Sequence, residues 1–223
     1  MPLTEDPRRD PAPRAEPPRQ QPFYDDLEAA LAAAWAQLRR GAADRRAAFH
    51  TPCLATVRAD GTPSARTVVL RAADQKTATL RFHTDRRSAK VDEIAARPTV
   101  ALQFYDSSRK IQLRVEGLAS LHRDDPVAAA AWQATRPFSR ACYRVPQAPG
   151  AVIDRPLPAQ LGPSHLGHAG QGEAGQGEAG VEHFAAVTVA LRSIEWLYLA
   201  AQGHRRARFI RTGDTWESAW LVP

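Results

Sequence analysis

The apolar residues that follow position 22 recur with the period of a helix. Leu27, Leu31, Trp35 and Leu38 lie three or four positions apart, so they share one face of a helix. This spacing predicts an amphipathic helix over residues 23–40. Glycine commonly follows the last turn of a helix, and Gly41 is therefore the predicted stop.

From residue 53 onward, apolar and polar positions alternate in the manner of strands. The Asp-Gly pair at positions 60–61 supplies the positive φ angles that a tight hairpin needs, so a hairpin is predicted there. The predicted strands span residues 53–58, 64–71, 77–84, 99–105, 111–121, 185–190, 194–201, 207–212 and 215–221.

Two more helices are predicted between these strands. One spans residues 89–97, with Ser88 as N-cap and Pro98 as its stop. The other spans residues 124–135, with Asp124 as N-cap and Pro126 in the first turn. Many antiparallel strands with helices outside them predict a mainly β fold with flanking helices. A small closed or split β-barrel is favoured, because closure removes exposed strand edges.

The segment FHTDRRSAK at residues 82–90 is the strongest candidate for chemistry. It ends a predicted strand and opens a helix whose first N–H groups, with a hydroxyl and nearby cations, are suited to a phosphate. In the preceding strand, RTVVLR at 66–71, Arg66 and Arg71 fall on opposite faces. A solvated basic face with a common serine cap is the alternative, and spacing alone favours it.

Composition narrows the class of protein. The chain has 223 residues, which suits one domain, and a net charge of +6, which suits an anionic ligand. Cys53 and Cys142 are far apart, so neither a disulfide scaffold nor a zinc site is expected. No apolar run reaches membrane-spanning length and no secretory signal is present, so a cytoplasmic protein with no membrane partner is expected.

Two segments are predicted to lie outside the folded domain at 23–223. Residues 1–22 are rich in proline and charge and are expected to be disordered. Residues 155–182 are of low complexity and contain the repeat GQGEA-GQGEA, which is typical of a flexible loop. His165, His168 and His183 lie in or beside that loop, where no rigid element holds them, so no metal site is expected.

Several motifs in order resemble the pyridoxamine 5'-phosphate oxidase family of FMN-binding split barrels. They are the Asp-Gly hairpin, RTVVLR, FHTDRRSAK, ALQFYD, IQLRVEG and the C-terminal SIEWLYLAAQGHRRARF and DTWESAWLVP. The segment RPFSRACYRVPQAPG, with the loop after it, is most similar to the divergent branch of related FMN-binding proteins.

The resemblance implies FMN as cofactor, bound at the interface of a homodimer. Ala89 stands where the family has an arginine, and Arg86 and Arg87 are candidates to replace that charge. The cofactor-binding residues implied are Arg66, Thr67, Val68, Val69, Leu70, Arg71, His83, Thr84, Ser88, Ala89, Lys90 and Gln112, with the partner subunit's Gln147 and the partner subunit's Arg208.

The resemblance also implies a substrate site at Arg71, Trp132, Arg136 and Arg205, with Ser139 or Arg140 beside them. Trp132 replaces a hydroxyl donor of the family, and the family's Arg-x-His near the C-terminus has no histidine here. The catalytic residues are therefore left unassigned.

Three functions follow from these patterns. The first is an FMN-dependent oxidoreductase resembling pyridoxamine 5'-phosphate oxidase, in which hydride passes from the C4' carbon of a pyridoxal-type substrate to flavin N5 and oxygen reoxidises the flavin. The second is an FMN-binding protein without that activity, either a reductase for another substrate or a flavin-binding module. The third, a nucleic-acid-binding barrel, lacks aromatic residues interleaved with its basic ones, so no nucleic acid is expected.

Overall fold

The computed structural model describes residues 21, 23–156, 179–201 and 203–223. Within that part, nine strands surround one large core and four helices flank them. The strands are β1 Cys53–Val57, β2 Pro63–Thr67, β3 Leu70–Asp74, β4 Thr79–Asp85, β5 Thr99–Asp106, β6 Ile111–His122, β7 Phe184–Tyr198, β8 Arg205–Thr212 and β9 Thr215–Leu221. The helices are α1 Leu27–Ala43, α2 Ala89–Ala96, α3 Pro126–Gln133 and α4 Pro137–Arg140.

The strands form one antiparallel sheet in the order β2-β1-β5-β6-β7-β4-β3, and β8 and β9 continue from β7. One edge of β7 pairs with β6 along most of its length. Its other edge is divided, because residues 184–190 pair with β4 and residues 193–198 pair with β8. This division gives the split barrel that the sequence predicts.

Helix α1 covers one side of the core. The Asp26 side chain caps it by accepting a hydrogen bond from the N–H of Ala29 at 3.0 Å. Trp35 and Leu38 are fully buried, as the helical spacing predicts. The predicted stop at Gly41 is wrong, since the helix continues to Ala43. Gly41 is buried because the backbone of Phe49 packs directly against it; a Cβ at Gly41 would lie 2.6 Å from the Phe49 carbonyl oxygen.

The predicted strand at 64–71 is two strands, β2 and β3, separated by Val68 and Val69. The N–H of Val68 donates to the carbonyl of Pro52 at 2.9 Å instead of continuing a ladder. The chain changes neighbours there, because β2 pairs with β1 whereas β3 pairs with β4. Alternation alone did not reveal this break, since the residues on both sides remain β-branched or apolar.

The predicted strands at 185–190 and 194–201 are instead one strand, β7. From Val187 its fully buried positions are odd-numbered up to Leu191, and they are even-numbered at Ile194 and Trp196. The register shows a β-bulge, because Gly117 pairs with Leu191 whereas Glu116 pairs with Ser193. Arg192 is the extra residue, and it reverses the phase without ending the strand.

The remaining differences concern segment ends. Helix α3 begins at Pro126, and its N-cap is Asp125, not Asp124, because the Asp125 carboxylate accepts the N–H of Ala128 at 2.8 Å. The predicted disorder of 1–22 falls almost wholly outside the described residues, as does most of the predicted loop at 155–182. Among the described helices, none is both long enough and apolar enough to cross a membrane.

We predict that Gly41→Ala destabilises the protein. Helix propensity alone favours alanine over glycine by about 1 kcal/mol. The contact with Phe49 opposes it, because overpacking a filled core costs about 1–3 kcal/mol. Urea unfolding of the variant should give a lower free energy of unfolding than the wild type, and an increase would contradict the packing described here.

Candidate functional site

Polar side chains at the end of β4 lie on its two opposite faces. Side chains alternate along a strand, so His83 and Thr84 point in opposite directions. Thr84 contacts residues of α2, whereas His83 contacts Phe184 and Thr135. The implied site residues are therefore divided into two groups, one on each face.

Three polar side chains meet on the first face, and we call them the hydroxyl–lysine cluster: Thr84, Ser88 and Lys90. The Lys90 ammonium donates to the hydroxyls of Thr84 and Ser88, both at 3.0 Å, and the two hydroxyls are 3.0 Å apart. Ser88 occupies the N-cap position of α2, but its side chain makes no capping bond. Its hydroxyl donates instead to the carbonyl of Asp85 at 2.6 Å, which directs its oxygen toward Lys90.

Lys90 forms no ion pair with any acidic residue in the described part of the chain. Burial, with the charge of nearby Arg66, lowers the pKa of Lys90 from its ordinary value. A half-buried cation that faces two hydroxyls at the start of a helix is a suitable set of donors for a phosphate. The side chains present here thus fit the phosphate of FMN.

Arg66, another of the implied cofactor-binding residues, is held by a buried carboxylate. Its Nη2 lies 2.7 Å from Glu93 Oε2, and the guanidinium also donates to Thr56 and Ser64. Burial opposes ionisation of Glu93, but hydrogen bonds from Thr56 and Arg66 outweigh it, so the pKa of Glu93 lies below its ordinary value. Glu93 was not identified from the sequence, because a strand–helix contact has no local pattern.

The two arginines suggested as replacements at Ala89 are engaged elsewhere. Arg87 pairs with Asp85 at 2.7 Å and donates to the carbonyls of Val145 and Pro146. Arg86 lies 3.4 Å from Asp124. Ala89 itself is an exposed first residue of α2. Lys90 is therefore the unpaired cation of the hydroxyl–lysine cluster.

The second face borders a cavity of about 850 Å³, which we call the arginine cavity. The implied residues Val69, Arg71, His83 and Arg136 line it, together with Ser139. A register shift between Leu70 and Ala72 makes Arg71 a bulged residue opposite β4. The structure thus brings Arg71 and Arg136 together, as the resemblance implies.

His83 is neutral in this cavity. Burial, with the charges of Arg71 and Arg81, lowers the pKa of His83 to about 3. The Thr135 hydroxyl donates its hydrogen to the carbonyl of Ala131 at 2.7 Å, so its oxygen accepts from His83 Nδ1 at 3.3 Å. Nδ1 therefore carries the proton.

Sequence reasoning missed three further basic residues of the cavity, which are Arg45, His50 and Arg81. Arg81 was within reach, since it is two positions before His83 on the same face of β4. Arg45 and His50 come from the segment after α1, and no sequence pattern links that segment to β4.

Other implied residues lie outside both groups. Trp132 is buried against Tyr143 and Phe184 and does not line the cavity. Arg205 pairs with Asp25 at 2.8 Å and lies over the ring of Tyr24.

The remaining implied residues are distributed over the sheet and a loop. Gln112 is on β6 opposite Tyr105, Gln147 borders a separate cavity beside Asp85, and Arg208 is exposed on β8. Thr67, Val68 and Leu70 follow one another at the β2–β3 connection, where Val68 and Leu70 are buried.

Comparison with known proteins shows which family part of the chain resembles. Residues 32–123 match the family model described as pyridoxamine 5'-phosphate oxidase, FMN-binding domain. The pyridoxine/pyridoxamine 5'-phosphate oxidase of Rubrobacter xylanophilus is 42% identical over 95 residues, which cover 41% of this chain and 42% of that protein. The oxidase of Cupriavidus pinatubonensis is 44% identical over 85 residues, 38% of each chain. The chain thus matches about two fifths of the length of these curated relatives.

Solved structures share the fold over nearly the whole chain. A pyridoxamine 5'-phosphate oxidase-related, FMN-binding protein of Nostoc punctiforme has a TM-score of 0.69 and 25% identity, covering 92% of this chain and 99% of that one. PhzG of Burkholderia lata, in complex with tetrahydrophenazine-1-carboxylic acid, has a TM-score of 0.67 and 21% identity, covering 92% and 98%. Residues 32–123 are thus similar to the FMN-binding domain of the pyridoxamine 5'-phosphate oxidase family, the chain shares the split-barrel fold of related FMN-binding proteins, and both similarities support FMN as its cofactor.

In the described ranges no group of three or more His, Cys, Asp or Glu side chains converges. His183 makes a hydrogen bond to the Tyr143 carbonyl at 2.8 Å, and His165 and His168 lie outside the described residues.

We predict that Lys90→Met weakens FMN binding about 10- to 100-fold, because it removes a charge-assisted hydrogen bond to the phosphate. Riboflavin, which lacks the phosphate, should bind both proteins equally. In the wild type, FMN affinity should fall as pH rises through the lowered pKa of Lys90, since only the protonated ammonium attracts the phosphate. Flavin fluorescence titrations measure both effects, and equal losses for FMN and riboflavin would contradict the assignment.

We predict that Glu93→Gln lowers stability at neutral pH by on the order of 1–2 kcal/mol, because Arg66 loses its buried counter-charge. The folded state lowers the pKa of Glu93 from 4.5, so its contribution is present above pH 4.5 and is lost as pH falls through the folded value. Urea unfolding of the apoproteins should show a difference at pH 7 that narrows at acid pH. A difference independent of pH would contradict this role.

Proposed function

We propose that this protein is an FMN-dependent oxidoreductase resembling pyridoxamine 5'-phosphate oxidase, acting on a small anionic substrate. One observation carries the proposal: β4 contributes Thr84 to the hydroxyl–lysine cluster from one face, and Arg81 and His83 to the arginine cavity from the other. The binding sites for the cofactor phosphate and the substrate therefore lie on opposite faces of one strand. When bound, FMN supplies the redox chemistry by accepting a hydride from the substrate.

The residues of the chain then bind and orient the cofactor and the substrate. Lys90, Ser88 and Thr84 hold the cofactor phosphate, and Glu93 holds Arg66 beside them. Arg71 and Arg136 attract the anionic group of the substrate in the arginine cavity.

His83 is unsuited to proton transfer near neutral pH, because its pKa of about 3 leaves it uncharged and weakly basic. Its neutral ring instead forms part of the wall of the arginine cavity, beside Arg71 and Arg81. The proposal therefore assigns His83 a role in binding and orientation and not in proton transfer.

A homodimer with FMN at its interface is part of the proposal. The partner subunit's Gln147 and the partner subunit's Arg208 would then complete the flavin site that Gln112 begins. The exposure of Arg208 on β8 supports this arrangement, since a binding residue that faces solvent in one chain is available to another.

A phosphorylated pyridoxal-type compound is the first substrate to test, since the curated relatives are named pyridoxine/pyridoxamine 5'-phosphate oxidases. The family model ends at residue 123, before Arg136. Support from sequence is therefore greater for the cofactor half of the site than for the substrate half.

An FMN protein without this oxidase activity is the second candidate. The burial of Trp132 in a hydrophobic cluster favours it, because the residue that replaces the family's hydroxyl donor does not reach the cavity. The ion pair between Arg205 and Asp25 points the same way.

We predict that the purified protein shows a two-band flavin absorption spectrum and releases a molecule with the mass of FMN on denaturation. Pyridoxamine 5'-phosphate should bleach the flavin without oxygen and be turned over with it. Arg136→Gln should raise the KM at least about 10-fold, because it removes a charged hydrogen bond, with FMN content unchanged.

Arg192→Gln, an exposed arginine outside the cavity, is the matched control and should leave KM unchanged. A flavin that this substrate fails to bleach would support the second candidate. A colourless protein that takes up no FMN would contradict both.

A further inference from the structure

Four arginines line the arginine cavity, and they come from four separate parts of the chain. Arg45 follows α1, Arg71 is the bulged residue of β3, Arg81 lies on β4, and Arg136 is the N-cap of α4. Their convergence depends on the tertiary fold, because no two of them are neighbours in sequence. Arg71 and Arg81 are near enough that both depress the pKa of His83.

Nine other arginines in the described part of the chain have an acidic partner, whereas these four have none. None of the four forms an ion pair within residues 23–156, 179–201 and 203–223. By contrast, Arg114 and Arg206 both pair with Glu195, at 2.5 and 2.9 Å. Unpaired like charges around one concave space repel each other, so an anion that enters relieves the repulsion.

Asp44 is the single acid among the residues that line the cavity. Its carboxylate already accepts the backbone N–H of Arg46 at 2.9 Å and lies 4.0 Å from Arg40 Nε. It therefore leaves most of the positive charge uncompensated. His83 is neutral and adds no charge of either sign.

Arg81 also has a buried hydrogen-bond donor without an acceptor. Its Nε is buried and has no hydrogen-bond acceptor among the described residues. Buried polar groups in native proteins are nearly always hydrogen-bonded, and an exception calls for a reason. A guanidinium that lines a cavity, has no acidic partner and has an unused donor is suited to donate a hydrogen bond to an anionic ligand.

Two arginines already suffice for one phosphate, because a guanidinium binds an anion through two parallel hydrogen bonds. Arg71 and Arg136 fill that role in the proposed function, so no ligand group is yet assigned to Arg45 and Arg81. We propose that the substrate carries two separate anionic groups, such as a phosphate and a ring carboxylate, and that Arg81, joined by Arg45, binds the second. This inference rests on the proposed function, since it concerns the substrate of the same site.

The test compares two ligands that differ in one anionic group. Pyridoxal 5'-phosphate carries the phosphate alone, whereas 4-pyridoxic acid 5'-phosphate carries a ring carboxylate as well. The FMN-loaded protein is titrated with each, with the change in the flavin absorption spectrum and isothermal calorimetry as readouts. We expect the wild type to bind 4-pyridoxic acid 5'-phosphate at least about 10-fold more tightly than pyridoxal 5'-phosphate, as one additional charged hydrogen bond implies.

Variants assign that preference to residues. Arg81→Gln should reduce the preference severalfold, and Arg45→Gln combined with it should abolish the preference, while affinity for pyridoxal 5'-phosphate changes less than about threefold. Arg81→Lys keeps the charge but loses the paired donors, so it should retain only part of the preference, and its unchanged affinity for pyridoxal 5'-phosphate controls for misfolding. Arg192→Gln, an exposed arginine outside the cavity, should retain all of it.

Two results would overturn the inference. One is equal affinity of the wild type for the two ligands. The other is an equal loss for both ligands in Arg81→Gln, which would show only a general effect of charge.

Failure of the proposed function gives a different result. Either the substrate would fail to bleach the bound flavin, or the protein would take up no FMN, as its spectrum shows. In both cases calorimetry on the protein still compares the two ligands. A preference for the carboxylate-bearing ligand there supports a two-anion cavity, and its absence contradicts it.

Discussion

Strand β7 is the element on which the sheet depends, because β4 and β8 share one of its edges while β6 occupies the other. A bulge at Arg192 allows this strand to change phase within its length, so both halves direct apolar side chains into the core. Residues 79–85 of β4 align with residues 184–190 of β7 one for one. That register fixes which side chains of β4 face the core and which face outward, and it therefore fixes both halves of the candidate site.

Positive charge without a counter-charge is the property that the two faces of β4 share. Lys90 and the four cavity arginines lack acidic partners in the described part of the chain, whereas Arg66, Arg87 and Arg205 each have one. Unpaired cations near each other reduce stability, so their retention in one region is typical of an anion-binding site. The paired arginines have a different role, since Glu93 holds Arg66 in place within the wall of the site.

Local patterns in the sequence predicted the elements well where one physical rule decides them. The spacing of Leu27, Leu31, Trp35 and Leu38 predicted α1, and alternation predicted most strands. The errors arose where tertiary contacts decide instead. Gly41 lies inside α1 and not at its end. Its lack of a side chain leaves the space that the backbone of Phe49 occupies.

The candidate site follows the same division. Thr84, Ser88 and Lys90 are close in sequence, and their contact is visible in the motif itself. Arg45 and Glu93 act across the fold, and no local rule relates them to β4 or Arg66. The resemblance to the family placed Arg71 and Arg136 in one site, but it could not show that Trp132 turns into a separate hydrophobic cluster.

The most direct test of this account is a crystal structure of the protein loaded with FMN. The account predicts the FMN phosphate within hydrogen-bonding distance of Lys90 Nζ and the hydroxyls of Ser88 and Thr84, with the arginine cavity open on the opposite face of β4. A phosphate bound among Arg71, Arg81 and Arg136 would contradict the assignment of the two faces.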